Sequence, residues 1–365
     1  MKFIIAKKPF VNALQSAAKI ANRNYPCVKL GASSGNLSLE TNNLDCGIAL
    51  TCDASVTEEG ICYCNCNDLL KMATLMPEGD IEVKSTNKSL SLRNGACVFK
   101  SSYLDEEVFV PLPKIRAETQ VTLPQCILKS MVRDIKCACD PTRSDYASFI
   151  NVEMEDHMVC MTATDSKIVA VRTEELEYDL KIGKHINERI KCDALLNLSN
   201  MLSWSADESC TLSFDKQVFR VSCSGMSMIG RLVNDPFPDI KKLMGHKYKS
   251  SVSVSAPEFL QAVNRSEFAL QSAESGARYT MIAHLGKQFR LESSGLLSNV
   301  EDELYVIEHS GGETVIGLNP QLLKRMLTVY PDETVTVQHD GPLNPIKIET
   351  EGFLFFVLPI RIGVG

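Results

Sequence analysis

The chain has 365 residues, of which 44% are hydrophobic and 23% charged, with a net charge of −7. That composition suits two or three ordinary globular domains and excludes a low-complexity or disordered chain. No apolar run approaches the ~20 residues of a membrane span, and the apolar start from Phe3 to Ala6 is too short for a signal peptide, so a cytoplasmic location is expected.

Taken in order, the chain writes one pattern three times. Lys2 to Ala6 reads as a strand that leads past Pro9 into a helix with apolar positions Leu14, Ala17, Ala18 and Ala21. The alternating Leu37-Ser-Leu39 and the turn Asn42-Asn43 follow. Leu69-Leu70 then open a second helix, and after Met76 come Ile81-Glu-Val83, Leu90-Ser-Leu92, Gly95 and Val98-Phe99. The second copy runs from Val121-Thr-Leu123 past Pro124 into a helix with Ile127, Leu128, Met131, Val132 and Ile135. Val159-Cys-Met161, the turn Asp165-Ser166, Leu195-Leu196, Leu202, Cys210-Thr-Leu212, Phe219-Arg-Val221, Gly225 and Met228-Ile229 follow. The third runs from Val252-Ser-Val254 past Pro257 into Phe259, Leu260, Val263 and Phe268, then Phe289-Arg-Leu291 and the turn Ser293-Ser294-Gly295.

The last helix–hairpin half is the clearest. Asn319 is a helix N-cap, Pro320 sits in the first turn, and Leu322, Leu323, Met326 and Leu327 form one face before Pro331-Asp332 stops the helix. Val335-Thr-Val337 and Ile346-Lys-Ile348 flank Asp340-Gly341, and Gly352 opens a final apolar strand towards Arg361. Leu69, Leu195 and Leu322 are 126 and 127 residues apart; Gly95, Gly225 and Gly352 are 130 and 127 apart. The period is far longer than the ~20–50 residues of a solenoid repeat, so each copy is expected to be a domain with its own core. The expected boundaries are 1–118, 119–246 and 247–365. The connectors Lys114 to Gln120 and Gly245 to Ser250 are short and not Gly/Ser-rich, which favours a rigid array.

Charge is unevenly spread. The three stretches hold 13 basic and 13 acidic, 15 and 18, and 10 and 14 residues, and six basic residues, Lys8, Lys19 and Arg23 among them, precede the first acidic one, Glu40. Asn12, Gln15, Lys19 and Arg23 share one face of the first helix, and Lys129, Arg133 and Lys136 share one face of its counterpart. The third keeps Gln261 and Arg265 but adds Glu258; the second helices add Lys71, Lys324 and Arg325. Such faces are ordinarily solvated surface, but their recurrence makes them a candidate phosphate-facing surface.

Catalytic motifs are not evident: there is no GxSxG, HExxH, GxxxxGK[ST] or GxGxxG, and the six histidines occupy unrelated positions of the copies. Fourteen cysteines lack any CxxC pair, and none lies between Ser224 and Gly365. Cys62, Cys64 and Cys66 alternate along one likely strand, a poor way to surround a tetrahedral zinc. Free buried thiols are expected, with no metal and no cofactor.

Met1-Lys-Phe, Thr122-Leu-Pro, Ala163-Thr-Asp165, Arg231-Leu-Val233 with Phe237-Pro-Asp239, and Leu358-Pro-Ile-Arg361 stand in an order that resembles the bacterial DNA polymerase III β subunit family, the replicative sliding clamps. The resemblance covers the whole chain, including its triplication. It implies an α+β fold of three similar domains in an arc, each with two inner helices and outer antiparallel sheets, closing as a head-to-tail dimer into a six-domain ring around duplex DNA. On that resemblance the protein is a non-catalytic processivity subunit, and Lys8, Lys19, Arg23, Lys129, Arg133, Lys136 and Arg265 face DNA without reading sequence. Phe109 and Leu112 on one end and Ala269 and Leu270 on the other lie at the dimer interface.

The family's partner cleft accepts short linear motifs of polymerases, the clamp loader and repair proteins. Its walls here would be Ala147, Thr164, Ser166, Lys167, Ile168 and Val169; Pro238, Lys242 and Leu243; and Leu322, Leu343, Ile346, Phe356, Leu358, Pro359, Ile360 and Arg361. The residues alone leave open whether Phe356 and Leu358 are simply core. Where many members read Asp-Gly-His-Arg-Leu, this chain has Asp165-Ser-Lys-Ile-Val169. Ile362 to Gly365 extends the usual end, and the stretch Asn24 to Ser34 is shorter than usual. Two competing functions are a cysteine-dependent metal or redox enzyme and a ring that scaffolds proteins without DNA.

Overall fold

Strands that run directly into helices recur through the chain, because alternating apolar positions give way to helical spacing with little or no loop between them. The computed structural model describes residues 1–86, 89–117, 119–180, 182, 185–271, 280–330, 332–350 and 352–362. The first copy of the pattern is β1 (Lys2–Ala6), α1 (Lys7–Ile20), β2 (Cys27–Ser33), β3 (Asn36–Asn42), β4 (Cys46–Asp53), β5 (Ser55–Glu58), β6 (Gly60–Asn65), α2 (Cys66–Leu75), β7 (Asp80–Ser85), β8 (Ser89–Asn94) and β9 (Cys97–Ser102). The second is β10 (Thr119–Pro124), α3 (Gln125–Ile135), β11 (Phe149–Glu155), β12 (Met158–Thr164), β13 (Ile168–Glu175), β14 (Ile186–Lys191), α4 (Cys192–Ser199), β15 (Ser209–Phe214), β16 (Val218–Cys223) and β17 (Met226–Val233). After a short α5 (Lys241–Met244), the third is β18 (Ser250–Ser255), α6 (Ala256–Leu270), β19 (Met281–Leu285), β20 (Phe289–Ser294), β21 (Asn299–Leu304), β22 (Val306–Ser310), β23 (Thr314–Leu318), α7 (Pro320–Leu327), β24 (Thr334–His339), β25 (Ile346–Thr350) and β26 (Phe353–Val357). Among the described residues the second copy has no counterpart of β5 and β22.

Local chemistry accounts for these boundaries. Asn65, Ser255 and Asn319 cap α2, α6 and α7 by accepting from the backbone N–H of Asp68, Glu258 and Gln321. The expected helix stop at Pro331 lies outside the described residues. In α1, Phe10, Ala13, Leu14, Ala17 and Ile20 are buried at helical spacing. In α6 the buried stripe is Phe259, Ala262, Val263, Ser266, Ala269 and Leu270. Phe268, read from sequence as part of the apolar face, lies off that stripe and is exposed.

The chain divides into two compact units. The first comprises Met1–Lys129, Leu180–Lys184 and Asp193–Val233. It contains a five-stranded antiparallel sheet, β5-β1-β7-β8-β9. Its second sheet runs β6-β2-β3-β4-β17-β16-β15-β10, with β4 of the first copy paired to β17 of the second. A core of Phe3, Ile5, Leu14, Leu30, Leu69, Val83 and Leu92 joins α1 and α2 to both sheets of the first copy. Cys62, Cys64 and Cys66 belong to that core. Burial pushes the Cys66 thiol up to about 12 and Cys27 to about 11; a hydrogen bond with Cys64, then burial, raises Cys62. Such thiols are poor nucleophiles, which weighs against a redox enzyme.

The second unit comprises Ser130–Asp179, His185–Cys192 and Asn234–Gly365. Its long sheet runs β14-β11-β12-β13-β26-β25-β24-β18-β22, with β13 of the second copy paired to β26 of the third. A separate four-stranded sheet runs β23-β19-β20-β21. Helices α6 and α7 pack together, and Lys324 Nζ lies 2.6 Å from Glu267 Oε2 between them.

The β4–β17 and β13–β26 joints follow one rule. Thr51 N–H donates to Gly225 O at one and Thr173 N–H to Gly352 O at the other, both at 2.8 Å. Gly95, Gly225 and Gly352 take φ of 57°, 69° and 68°, the left-handed region that favours glycine. A Cβ on Gly352 would come within 2.6 Å of Thr173 O, whereas one on Gly95 would meet nothing within 4 Å. Alanine at either position carries a left-handed cost of about 1–2 kcal/mol. Gly352→Ala adds a collision with backbone and should lose at least twice the stability lost by Gly95→Ala in urea unfolding. Equal losses would contradict the close approach.

Candidate functional site

The site lies in the second unit, where the turn between β12 and β13 meets the end of β26. Asp165 organises the turn: its Oδ1 accepts from the backbone N–H of Lys167 and of Ile168, each at 3.0 Å. Thr164 Oγ1 donates to Ile168 O at 2.8 Å and accepts from Ser166 N–H. These bonds close a tight Asx-type turn. They hold Ser166 at φ 72°, the left-handed region that favours glycine. Arg325 of α7 anchors the turn from behind, donating to Asp165 Oδ2 and to Cys139 O, both at 3.1 Å. Arg143 donates to Asp165 O and pairs with Asp145. The turn therefore presents Ser166 and Lys167 to solvent while burying Thr164, Ile168 and Val169.

Beside the turn, the β13–β26 joint offers an apolar face. Val169 lies opposite Phe356 and Val171 opposite Leu354. Ile240, Leu243, Met244 and Tyr248, from α5 and the chain after it, pack on that face. Burial pushes the Tyr248 phenol up to about 12, and its hydroxyl has no hydrogen-bond partner among the described residues. Asp340 fastens this segment, accepting from Lys249 N–H at 2.6 Å and lying 2.7 Å from His246 Nε2. Burial alone would raise the Asp340 carboxyl, but the bonds from Lys249 and His246 outweigh it and hold it below the ordinary carboxylate range. Past β26, Leu358 N–H donates to Lys167 O and Ile360 N–H to Gly317 O, each at 2.8 Å. That leaves the Leu358 side chain exposed, Pro359 and Ile360 half-buried, and Arg361 exposed.

The expected wall residues thus separate into a floor and a rim. Val169, Leu243 and Phe356 form one apolar cluster, with Lys167, Ile168 and Leu358 joined to it through the strand pairing. Ala147, Leu322 and Ile346 are buried in the scaffold, Pro238 is half-buried, and Lys242 and Leu343 are exposed. Sequence reasoning missed Ile240, Met244, Tyr248, Val171 and Leu354. The signal was present, since Ile240, Leu243 and Met244 stand at i, i+3 and i+4, and Val169/Val171 and Leu354/Phe356 alternate.

The basic residues separate differently. Lys8, Lys19, Arg23, Arg133 and Lys136 are exposed. Asn12, Gln15 and Lys19 line an open groove of about 900 Å³ in the first unit, together with Gln125, Asn200 and Ser203. Lys129 is committed within its own unit: its ammonium donates to Leu202 O and lies 4.8 Å from the centre of the Trp204 ring. Arg133 pairs with Asp134, and Arg265 makes a two-pronged ion pair with Asp302 at 2.7 and 2.9 Å. Of the interface candidates, Phe109 packs against Tyr63 and beneath Lys29, Leu112 lies over Gly47, and Ala269 and Leu270 are buried. A charge at Leu270 would therefore damage the core of its own unit. Among the described residues no three His, Cys, Asp or Glu side chains are grouped to hold a metal ion, and no helix is long and apolar enough to cross a membrane.

A thrice-repeated strand–helix pattern and sheets joined edge to edge give a fold that solved sliding-clamp structures share. No protein-family model matches the chain. It is similar in sequence to the beta sliding clamp of Bacillus subtilis, 22% identical over 380 residues that cover 99% of this chain and 100% of that protein. The Staphylococcus aureus beta sliding clamp is likewise 22% identical, over 384 residues. The crystal structure of the Bacillus subtilis clamp superposes with a TM-score of 0.91 at 21% identity over 100% of both chains. The Pseudomonas aeruginosa sliding clamp bound to griselimycin superposes with a TM-score of 0.91 at 18% identity over 99% of this chain and 100% of that one.

Asp165→Ala removes two turn bonds and the carboxylate held by Arg325, and should lower unfolding free energy by about 2–3 kcal/mol. Asp165→Asn keeps an acceptor for the turn and should cost about 1 kcal/mol. Equal losses in urea titration would assign the stability to the ion pair rather than to the turn.

Proposed function

We propose that this chain is a DNA sliding clamp: a non-catalytic subunit that encircles duplex DNA as a head-to-tail homodimer and tethers the replicative polymerase through a peptide cleft. The observation that carries this reading is likeness to sliding clamps over at least 99% of the chain, which takes in the Thr164–Ile168 turn and the β26 strand that build the cleft. Three domains, 1–118, 119–246 and 247–365, are proposed from the repeated pattern, with a cytoplasmic location.

In this reading Lys8, Lys19, Arg23 and Lys136 supply mobile phosphate contacts, with Arg133 beside them. Such contacts need only be weak and sequence-independent, because a closed ring holds DNA by topology. Lys129 and Arg265 would contribute field rather than direct contacts, since each is already paired. The cleft takes an extended peptide with one or two large apolar anchors. Leu358, Pro359 and Ile360 meet those anchors beside Val169 and Leu243, while Lys167 and Arg361 donate to peptide polar groups. Polymerase, clamp-loader and repair-protein motifs are the expected occupants, and Ser166 and Lys167 set a motif preference distinct from that of clamps with Gly-His there.

Two variants separate the functions. Leu243→Ala with Leu358→Ala removes two apolar contacts and should weaken a polymerase-derived clamp-binding peptide at least about tenfold by calorimetry, while leaving retention on DNA intact. Charge reversal at Lys19, Arg23 and Lys136 together should leave peptide affinity unchanged and weaken DNA loading. Full peptide affinity in the first variant would place the cleft elsewhere, and normal loading of the second would reject the DNA-facing assignment.

A further inference from the structure

Two histidines of the third copy sit where a charged ring has nothing to pair with. In the long sheet of the second unit, β18 lies between β22 and β24. Val252 of β18 is opposite His309 on one side and Val337 on the other, and Ser250 is opposite His339. Opposite and alternate residues share a face, so His309, Val252, Val337 and His339 all project to one side of the sheet. That side is interior: Val252 and Val337 are buried and His339 is 2% exposed. The Nε2 atoms of His309 and His339 are both buried, and neither has a hydrogen-bond partner among the described residues.

A neutral imidazole tolerates such a place, whereas an imidazolium buried without a partner is penalised. The charged groups nearby are engaged or turned away. Asp340 already accepts from Lys249 N–H and lies against His246 Nε2, whose ring packs on Tyr248. Lys249, a like charge, and Glu313, which accepts from Lys287 N–H, line one open cavity of about 400 Å³ with His339. Glu308 is opposite Ser253, and Lys347, paired with Glu349, is opposite Gln338, so both belong to the other face. Burial therefore holds the His339 imidazole below its ordinary range; Asp340 opposes that shift and His309 adds to it.

β22 ends this sheet, and its hold on β18 is interrupted by a bulge between Ser253 and Val254. Past His309 the chain is tied to β18 by the Ser251 and Ser310 hydroxyls, 3.0 Å apart, and by Gly312 N–H, which donates to Ser250 Oγ at 2.9 Å. We propose that His309 and His339 form a pH-sensitive latch: neutral, they let β22 close on β18, and protonated in a mildly acid medium they release that strand from the sheet. The opened chain takes up protons at about pH 6.5, before the closed one does, so closure is complete above that pH and weakens as the pH falls through it. Asp340, held below its ordinary range, titrates under about pH 4 and lies outside that window.

The test is amide hydrogen exchange of the full chain at about pH 7.5 and about pH 5.5, corrected for the intrinsic rate, in wild type, His339→Phe and His246→Gln. Linkage allows one such histidine about a tenfold change in the opening constant over that interval. Protection of β22 and the facing part of β18 should fall at least about fivefold more in wild type than in His339→Phe, while β1 and β7 of the first unit respond alike in both. His246→Gln should keep the wild-type response, because that ring already has Asp340 for a partner. Equal responses in wild type and His339→Phe, a response lost in His246→Gln, or a wild-type loss no larger in β22 than in β1 and β7 would each overturn the latch. If His339→Phe does not fold, His309→Gln is judged by the same comparison.

Discussion

The structure depends on one constraint: a β-strand edge must find a partner or be shielded. Each copy of the pattern makes two sheets, and a sheet cut off at its own domain would leave open edges. The chain meets the constraint twice by pairing the last hairpin strand of one copy with the third sheet strand of the copy before it. The positive-φ glycines, the four-residue turns and the buried apolar pair at the middle of each joint all serve that contact. Gly352 shows how close it is, since the position over its Cα is taken by Thr173 and Arg172.

The apolar face proposed as the cleft is a by-product of the second joint. Once β26 lies along β13, Val169, Val171, Leu354 and Phe356 share one face, and Leu243, Met244 and Tyr248 pack on it. Chain leaving β26 is tied to Lys167 by a single backbone bond, which keeps Leu358 at the rim. The Arg325–Asp165 pair then fixes the turn that forms the opposite wall. Burial helps hold the Cys27, Cys62 and Cys66 thiols well above their ordinary range, which makes them poor nucleophiles.

Much of this was legible in the sequence because its signals are local. The cap at Asn319, turn glycines at a period near 127, and alternating strands are all written within a few residues of where they act. Pairing across the chain was not. Nothing near Lys129 announces that Leu202 and Trp204 take up its charge, nor does Arg265 reveal Asp302 37 residues on. Phe268 was misassigned to a core because helical periodicity tolerates a shift of one position when small residues such as Ser266 and Ala269 fill the true stripe. Phe356 and Val169, both named from sequence, share one apolar cluster, but Tyr248 lies just after Gly245, where no periodicity operates.

The central claim is that this chain holds DNA by enclosing it. The direct measurement is retention of the wild-type protein on nicked circular duplex after loading, at a salt concentration that removes ion-pair binding, before and after the circle is cut once. The account predicts that protein stays with the intact circle through gel filtration and is lost when the DNA is linearised. Equal retention on both forms, or equal loss from both, would contradict it.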